Sequence, residues 1–357
     1  MPLKTDELTS IERVVLAMQH KEADRVPVAP LASGAARRVL GVTYAEYAQD
    51  AELAAQSQIQ WMQLTGGDAV CPFLDLSVEA HDFGQEVKYP IEDTPQAVFR
   101  NPLIKSTDHY ARLSVFDPRK GKRIGTNLRY LELMVQALGR EKVIMGFIYG
   151  PLSTLSQMRS AEKLFLDCMK EPDKVHEGLE IVTQVLLDYV DAQVDRGPIG
   201  IVMDTLFASG SIMSRDLWKK MEAPYVARIA KKIHDAGLAI LIHNCGNNPY
   251  FDVQIEAMQP EGMSIAYLPN ECPTFDDLKK TWGDKVMIVG MVPPSQVVFM
   301  GSQSDVKEAC KEQIRALAPG GGFLLSTGCE FPPNASLLNA IAMVEAAEEY
   351  GRYPITV

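Results

Sequence analysis

The sequence is short of positive charge and has no long apolar run. Its 35 Lys and Arg residues face 46 Asp and Glu residues, which gives a formal net charge of −11 at pH 7. Nucleic-acid phosphates require clustered Lys and Arg, and no basic stripe occurs here, so no nucleic-acid partner is predicted. No apolar run approaches the roughly 20 residues that span a bilayer, so no membrane association is predicted either.

Cysteine is also scarce. Six cysteines in 357 residues are too few and too scattered for a disulfide framework, so reduced thiols are expected. Free cysteines in protein interiors usually act as small hydrophobic residues, while others bind metal ions. Four cysteines are interpreted as buried hydrophobic residues: Cys71, Cys168, Cys272 and Cys310.

Several sequence signals are missing as well. The N-terminal run MPLKTDELTSIERVV lacks the continuous apolar core of a secretory signal and is typical of a capped helix. A cytoplasmic protein is therefore predicted. Neither a GxGxxG run after a first strand nor a GxxxxGK[ST] run occurs, so the sequence gives no support to a dinucleotide-binding or P-loop protein.

What the sequence does contain is a regular alternation of apolar strands and amphipathic helices. Runs such as KVIMGFIY, GIVMD, LAILIHN and KVMIVGMV are separated by longer helical patterns. Near-continuous apolar strands indicate a parallel sheet that is buried on both faces. About eight such strands are present, the first at residues 26–29, which favours an α/β fold of the (β/α)8 TIM-barrel type over an open doubly wound sheet. An additional N-terminal helical segment precedes the barrel, and residues 1–357 are expected to form a single domain.

One segment interrupts this alternation. Residues 75–98 read DLSVEAHDFGQEVKYPIEDTPQAV and are rich in charge and proline. Clusters of polar and turn-forming residues between periodic segments are typical of loops. The segment is therefore predicted to be a polar connector on the surface.

Potential metal ligands follow the predicted strands. One strand ends at Asp204, the next carries His243 and Cys245, and the last is followed by Cys329 and Glu330. Strand C-termini meet at the catalytic face of a (β/α)8 barrel. His243 and Cys245 are two residues apart, so their side chains leave the strand on the same side. Imidazole and thiolate suit Zn²⁺, and three protein ligands with one open position are typical of a catalytic zinc site.

Each of these residues also has a simpler explanation. A histidine at a strand end is often buried with its nitrogen bonded to a backbone carbonyl, and His243 fits that description. Asp204 fits the role of a cap for the following turn. Cys245 and Cys329 fit the role of small buried hydrophobic residues. The residues alone leave both interpretations open.

The motif IHNCGN, together with the later run GCEFPPNASLLNAIAMVEAAEEYG, resembles a known family. It is similar to the HxC and terminal Cys motif of zinc-dependent corrinoid methyltransferases of the methylcobamide:coenzyme M type, within the uroporphyrinogen decarboxylase superfamily of (β/α)8 barrels. The resemblance covers nearly the whole chain, since SIERVVLAMQHKEADRVPV looks like the first helix and strand of these proteins. It implies that His243, Cys245 and Cys329 are zinc ligands.

The resemblance also implies a reaction and its participants. A methyl group would move between a corrinoid (methylcobalamin) carried by a partner protein and a small thiol or a methylated compound such as an ether or amine. Asp204, Asn244 and Glu330 are the candidates for orienting the substrate or ligands. An acidic residue expected after the strand GMSI is replaced by Ala266 and Tyr267, which leaves water, Glu330, Asp204 or Tyr267 for the fourth zinc contact, with water or Glu330 preferred.

Two other functions remain open. One is a metal-free uroporphyrinogen decarboxylase-like enzyme, although the RQAGRY-like segment of such enzymes is replaced here by APLASGAARRVLGV, with Arg37 and Arg38 as its only arginines. The other is a non-catalytic accessory protein that binds zinc or a corrinoid. The direction of methyl transfer, the identity of the methyl donor or acceptor, and the choice between a monomer and a homodimer also remain open.

Overall fold

A parallel sheet forms the centre of the computed structural model, which describes residues 6–356. The strands are β1 (Ala69–Val70), β2 (Val87–Lys88), β3 (Gln96–Ala97), β4 (Val143–Tyr149), β5 (Gly200–Asp204), β6 (Ala239–Asn244), β7 (Gly262–Ile265), β8 (Met287–Val292) and β9 (Phe323–Thr327). Seven of them form the central sheet in the order β1-β4-β5-β6-β7-β8-β9, and every neighbouring pair is parallel. The parallel α/β architecture predicted from the sequence is therefore confirmed.

Helices follow the strands and pack around the sheet. Two long helical patterns are broken, and a proline lies at the start of each new helix: Pro172 is the first residue of one and Pro224 is the second residue of the other. Proline is tolerated in the first turn of a helix because its missing N–H would have no partner there. No helix within residues 6–356 is both long and apolar enough to cross a membrane. The helices are α1 (Ser10–Met18), α2 (Tyr44–Tyr47), α3 (Ala51–Thr65), α4 (Val78–Asp82), α5 (Lys122–Leu138), α6 (Pro151–Arg159), α7 (Ala161–Lys170), α8 (Pro172–Val194), α9 (Arg215–Met221), α10 (Ala223–Asp235), α11 (Phe251–Met258), α12 (Phe275–Trp282), α13 (Gln303–Leu317) and α14 (Leu337–Tyr350).

Side chains alternate along each strand between two separate apolar layers. In β4, Met145 and Phe147 belong to an inner layer, whereas Ile144 and Ile148 pack with the surrounding helices. This division follows from strand geometry, in which successive side chains point to opposite faces. The inner layer also receives Val14 from α1, so the predicted N-terminal helix lies against the interior of the curled sheet.

The first predicted strand, residues 26–29, is present only as a single parallel bridge between Val28 and Leu325. On one side, the Ala29 N–H donates to the Leu325 carbonyl over 2.9 Å. On the other side, the Asp68 N–H donates to the Val28 carbonyl over 2.7 Å. The segment therefore lies between β9 and the residue that precedes β1.

The prediction that residues 75–98 lie on the surface is wrong for the first part of the segment. Asp75 is buried and forms a 2.6 Å ion pair with Arg123. Glu79, also buried, accepts a 3.0 Å hydrogen bond from the Tyr149 N–H. The polar residues of this segment have buried partners far away in the sequence, which the local composition does not reveal.

A buried ionic network joins α1 to the start of the sheet. The Asp68 carboxylate accepts hydrogen bonds from Arg13 at 2.7 Å, Arg25 at 2.8 Å, Ser10 at 2.8 Å and the Val28 N–H at 2.9 Å. Burial opposes the ionised form, but the two guanidinium groups outweigh it and lower the pKa of Asp68. The network fixes α1 against residues 26–29 and against the start of β1.

Replacing Asp68 by Asn should destabilise the protein by about 3–5 kcal/mol at pH 7, because it leaves buried arginines without their counter-charge. The pKa of Asp68 is lowered in the folded protein, so its contribution is complete above the unfolded value of about 3.9 and disappears as the pH falls below it. The difference between wild type and variant should therefore shrink below about pH 4. Urea unfolding from pH 7 to pH 3 measures both effects.

The matched control is Asp195→Asn, which removes an exposed ion pair with Arg119 and should change the free energy of unfolding by less than about 1 kcal/mol. An Asp68→Asn variant as stable as this control at pH 7 would contradict the proposed role of the network.

Candidate metal centre

Four polar side chains occupy one level of the sheet interior. Strand pairing places Tyr149 beside Asp204, Asp204 beside His243, and His243 beside Ser264. All four are buried, and each occupies one of the alternate positions at which its strand faces the interior. They lie at or near the C-terminal ends of β4 to β7, where the sequence pattern predicted the site.

The predicted zinc ligands come together at this level. His243 and Cys245 leave the end of β6 on the same side, and Cys329 follows the end of β9. The ligand atoms of these three residues all lie within 4.8 Å of one another. The fold thus brings together one imidazole nitrogen and two thiols, a donor set that suits a borderline-soft cation such as Zn²⁺.

Glycine allows the two cysteine-bearing turns to pack closely. A Cβ atom on Gly246, next to Cys245, would lie 2.2 Å from Ser209 Oγ. A Cβ atom on Gly328, next to Cys329, would lie 2.9 Å from the Cα of Ala266. A larger residue at either position would therefore force the turn or its neighbour to shift.

His243 has a defined orientation. Its Nδ1 atom lies 3.0 Å from Ser264 Oγ, so Nε2 is the nitrogen available to a metal ion. Histidine ligands usually bond through their second ring nitrogen to a neighbouring group, which fixes the ring. Ser264 has this position here. The sequence reasoning missed Ser264, although a serine within the otherwise apolar strand GMSI was a signal for it.

The pKa values of the two thiols shift in opposite directions. A hydrogen bond from the Cys245 thiol, and another from His243, lower the pKa of Cys329 despite burial. The same hydrogen bond, together with burial, raises the pKa of Cys245. For His243, burial favours the neutral ring, but the hydrogen bond to Cys329 outweighs it and raises the pKa. A metal ion bound to the same three atoms would take the place of these hydrogen bonds.

Asp204 lies within the site and also supports a turn. Its Oδ1 atom accepts a 3.1 Å hydrogen bond from the Leu206 N–H, which leaves Oδ2 for another partner. Burial raises the pKa of Asp204 to about 6. Tyr149, on the neighbouring strand, was missed by the sequence reasoning. Burial and the charges of Asp204 and Cys245 raise the pKa of Tyr149 well above its ordinary value.

The side chain of Asn244 does not reach the site. Its Nδ2 atom donates to the carbonyls of Thr205, at 2.9 Å, and Ala208, at 3.1 Å, while Oδ1 accepts from the Gly246 N–H at 3.0 Å. Asn244, which was predicted to orient the substrate or a ligand, therefore does not point into the site. Strand alternation explains this, since the residue between two inward-facing positions points outward. Asn244 instead holds the turn that carries Cys245.

Glu330 lies beside Cys329 but outside the group of converging ligand atoms. Its Oε1 atom accepts a 3.0 Å hydrogen bond from the Gly34 N–H, and burial raises the pKa of Glu330 to about 7. It lines a cavity of about 760 Å³ together with Gln157 and Arg100. Tyr267, another candidate for a fourth contact, is exposed. The other four cysteines, outside the ligand group, are buried as predicted.

Comparison with known proteins relates the whole chain to one family. A family model described as uroporphyrinogen decarboxylase (URO-D) matches residues 9–350. Methylcobamide:CoM methyltransferase MtaA from Methanosarcina barkeri is 24% identical over 347 residues, which are 96% of this chain and 99% of that protein. MtbA from Methanosarcina mazei is 25% identical over 350 residues, with the same coverage. A uroporphyrinogen decarboxylase from Coxiella burnetii is 22% identical over 309 residues, which are 84% of this chain and 82% of that protein.

Solved structures share the fold. A methyltransferase from Methanosarcina mazei has a TM-score of 0.82 and 23% sequence identity, and the match covers 96% of this chain and 99% of that chain. A B12-independent methionine synthase from a Shewanella species has a TM-score of 0.55 and 12% identity, with 91% and 97% coverage. Similarities at such low sequence identity establish the fold. The reaction depends on the residues of the site.

Replacing Ser264 by Ala should weaken metal binding by about 10- to 100-fold, because the His243 ring loses the group that orients it. A titration of zinc against a competing chelator measures the change. Ser326→Ala is the matched control, because the Ser326 hydroxyl faces the same interior but donates to the Ala29 carbonyl. Equal zinc affinity in the two variants would show that Ser264 does not position the histidine.

Proposed function

This chain belongs to the uroporphyrinogen decarboxylase family, and we propose that within this family it is a cytoplasmic, zinc-dependent methyltransferase. It moves a methyl group between the corrinoid of a partner protein and a small thiol or methylated compound. The convergence of His243, Cys245 and Cys329 to within 4.8 Å carries the proposal. The methylcobamide:CoM methyltransferases, which match this chain from end to end, support it.

The residues at the site fit zinc. Nε2 of His243 and the sulfur atoms of Cys245 and Cys329 would hold it, and water or the substrate heteroatom would complete the coordination. When bound, zinc stabilises a substrate thiolate or polarises the heteroatom from which a methyl group leaves. Ser264 keeps the imidazole in its binding orientation.

The remaining residues of the site position the substrate and exclude water. Oδ2 of Asp204 is free to orient the substrate, because Oδ1 is engaged with the Leu206 N–H. Phe73 and Phe147 stack with their ring centroids 4.6 Å apart in the inner layer. This apolar wall keeps water away from the reacting methyl group, since the inner layer offers it few polar partners.

The surface around the strand ends suits a protein partner that carries the corrinoid. Tyr267 follows β7, while Phe299 and Met300 follow β8, and all three are exposed large apolar side chains. Exposed apolar groups that cluster at one end of a molecule are typical of interaction sites. A corrinoid delivered at this end would face the ligand group. The partner protein would cover these three side chains.

We infer that residues 26–29 complete a (β/α)8 ring. The Ala29 N–H and the Pro27 carbonyl both bond to Leu325 in β9, at 2.9 Å each. On the opposite side, the Val28 N–H donates to the Asp68 carboxylate and the Val28 carbonyl accepts from the Asp68 N–H. A short eighth segment in this position would close the gap between β9 and β1.

Decarboxylation of a polycarboxylate is less consistent with the positions of Arg37 and Arg38, the two arginines of the segment that replaces the RQAGRY-like one. Such a substrate requires arginines that face the site. Arg37 is buried and donates to the Pro333 carbonyl, Glu92 and Asn334. Arg38 donates to the Ala335 carbonyl. Both side chains hold the loop that follows Glu330, so neither is available to a substrate carboxylate.

Purified protein should contain about one zinc ion per chain and should transfer methyl groups from methylcobalamin to a thiol acceptor. Cys329→Ala should lose the zinc and lower the transfer rate by more than about 100-fold, since a direct ligand matters at least as much as an outer hydrogen-bond partner. Elemental analysis and a spectroscopic assay of the corrinoid measure the two effects. The control is Cys310→Ala, which removes a buried thiol outside the ligand group. Unchanged zinc content and transfer in the Cys329 variant would refute the proposal.

A further inference from the structure

A cavity lies inside the sheet, on the inner side of the candidate metal centre. Its volume is about 70 Å³, and we refer to it as the interior cavity. Its lining includes His243 and Ser264, which belong to the candidate metal centre, and Met18 of α1. Met145 and Met287 form part of the sides. The cavity therefore extends from the metal-binding histidine towards the N-terminal helix.

Small residues at inward-facing positions create this space. The interior of a (β/α)8 barrel is normally filled by layers of bulky branched side chains. In this chain, Ala29, Ala69, Ala239 and Gly262 line the cavity at such positions. Gly262 lies in β7 two residues before Ser264. It is therefore the inward-facing position next to Ser264 on this strand. A Cβ atom on Gly262 would lie 2.5 Å from Leu241 Cδ1, so this glycine lets the Leu241 and Met287 side chains pack against its backbone.

The serine hydroxyls that line the cavity already have partners, and the Glu261 carboxylate accepts a 2.7 Å hydrogen bond from the Ile240 N–H. The Ser264 hydroxyl is paired with His243 Nδ1 at 3.0 Å. The Ser326 hydroxyl donates to the Ala29 carbonyl over 2.6 Å. A buried water molecule needs two to four polar partners, whereas apolar cavities stay dry and bind apolar molecules. The chemistry of the lining therefore selects an apolar occupant.

We propose that the interior cavity binds the short alkyl chain of a substrate whose heteroatom lies at the metal centre. The role of the heteroatom rests on the proposed methyl transfer, whereas binding of an apolar molecule does not. A volume of about 70 Å³ exceeds the roughly 10–15 Å³ that one water molecule needs in the same measure, so the cavity has room for a chain of about three carbon atoms. The substrate class is a short alkyl thiol, or the corresponding methyl thioether or methyl ether.

The methionines in the lining allow limited adaptation. A Cβ atom built on Gly200 would lie 2.7 Å from Met145 Cε, and one built on Gly262 would lie 3.1 Å from Met287 Cε. Each methionine terminus thus covers an inward-facing glycine. Unbranched methionine side chains fill irregular space and move at low cost. The methyl groups of Met145 and Met287 are therefore sensitive reporters of an occupant.

The first experiment uses the metal-free protein with ¹³C-labelled methionine methyl groups. Propane has no heteroatom, so it tests the cavity apart from the methyl-transfer chemistry. Dissolved propane should shift the NMR signals of Met145 and Met287 and should leave the exposed Met300 signal unchanged. No shift at Met145 and Met287 would overturn the proposal.

The second experiment measures the affinity of the zinc-loaded protein for linear alkanethiols from methanethiol to hexanethiol. Affinity should rise about fourfold with each methylene group up to about three carbons, and then level off or fall. Ala69→Leu fills the cavity and should abolish this dependence. Ala161→Leu makes the same change at an exposed helical position and should preserve it.

A third variant keeps the test decisive if Ala69→Leu does not fold. Met145→Ala enlarges the cavity, so the preferred chain should become longer by about two or three carbons. A chain-length profile that is flat in the wild type would overturn the proposal even if propane binds. If propane binds and the profile holds but no corrinoid methyl transfer occurs, the interior cavity stands and the proposed function fails.

Discussion

The parallel pairing of β5, β6 and β7 in one register is the constraint on which the site depends. It places Asp204, His243 and Ser264 side by side, all facing the interior. Because side chains alternate along a strand, a slip of one residue in β6 would turn His243 towards the helices and Asn244 inward. The apolar residues of β6 fix the register, since Ile240 and Ile242 are fully buried against the surrounding helices.

The two ends of the sheet interior differ in charge. Near the start of the strands, Asp68 meets two arginines and its pKa is lowered. At the ends of the strands, burial raises the pKa of Asp204 to about 6 and that of Glu330 to about 7. The first end is a compensated network, in which loss of one partner would leave a buried charge unpaired. The second collects thiol and carboxyl groups around His243, and a bound cation would supply the compensating charge there.

The interior cavity lowers the stability of the protein, because the core next to the site is not completely filled. Unfilled space in a protein core costs roughly 24 cal/mol per Å³, so a cavity of about 70 Å³ costs about 2 kcal/mol. Loss of stability is common at functional sites, where the geometry serves binding instead of packing. In the proposed substrate complex, the small inward-facing residues make room for the alkyl chain, and the metal ligands at the strand ends hold the heteroatom. The ionic network around Asp68 contributes stability at the other end of the same interior.

The sequence by itself determined the parallel strands, the N-terminal helix and the shared direction of His243 and Cys245, because backbone geometry sets the periodicity of each element locally. The same rule would have placed Asn244 on the outer face, had it been applied to that residue. Only the tertiary structure decided that Cys329 joins the other ligands, that Ser264 orients the histidine, and that Glu330 bonds to Gly34 instead of joining the ligand group. These contacts join residues far apart in the chain, so they depend on how all the strands and helices pack together, which no local pattern contains.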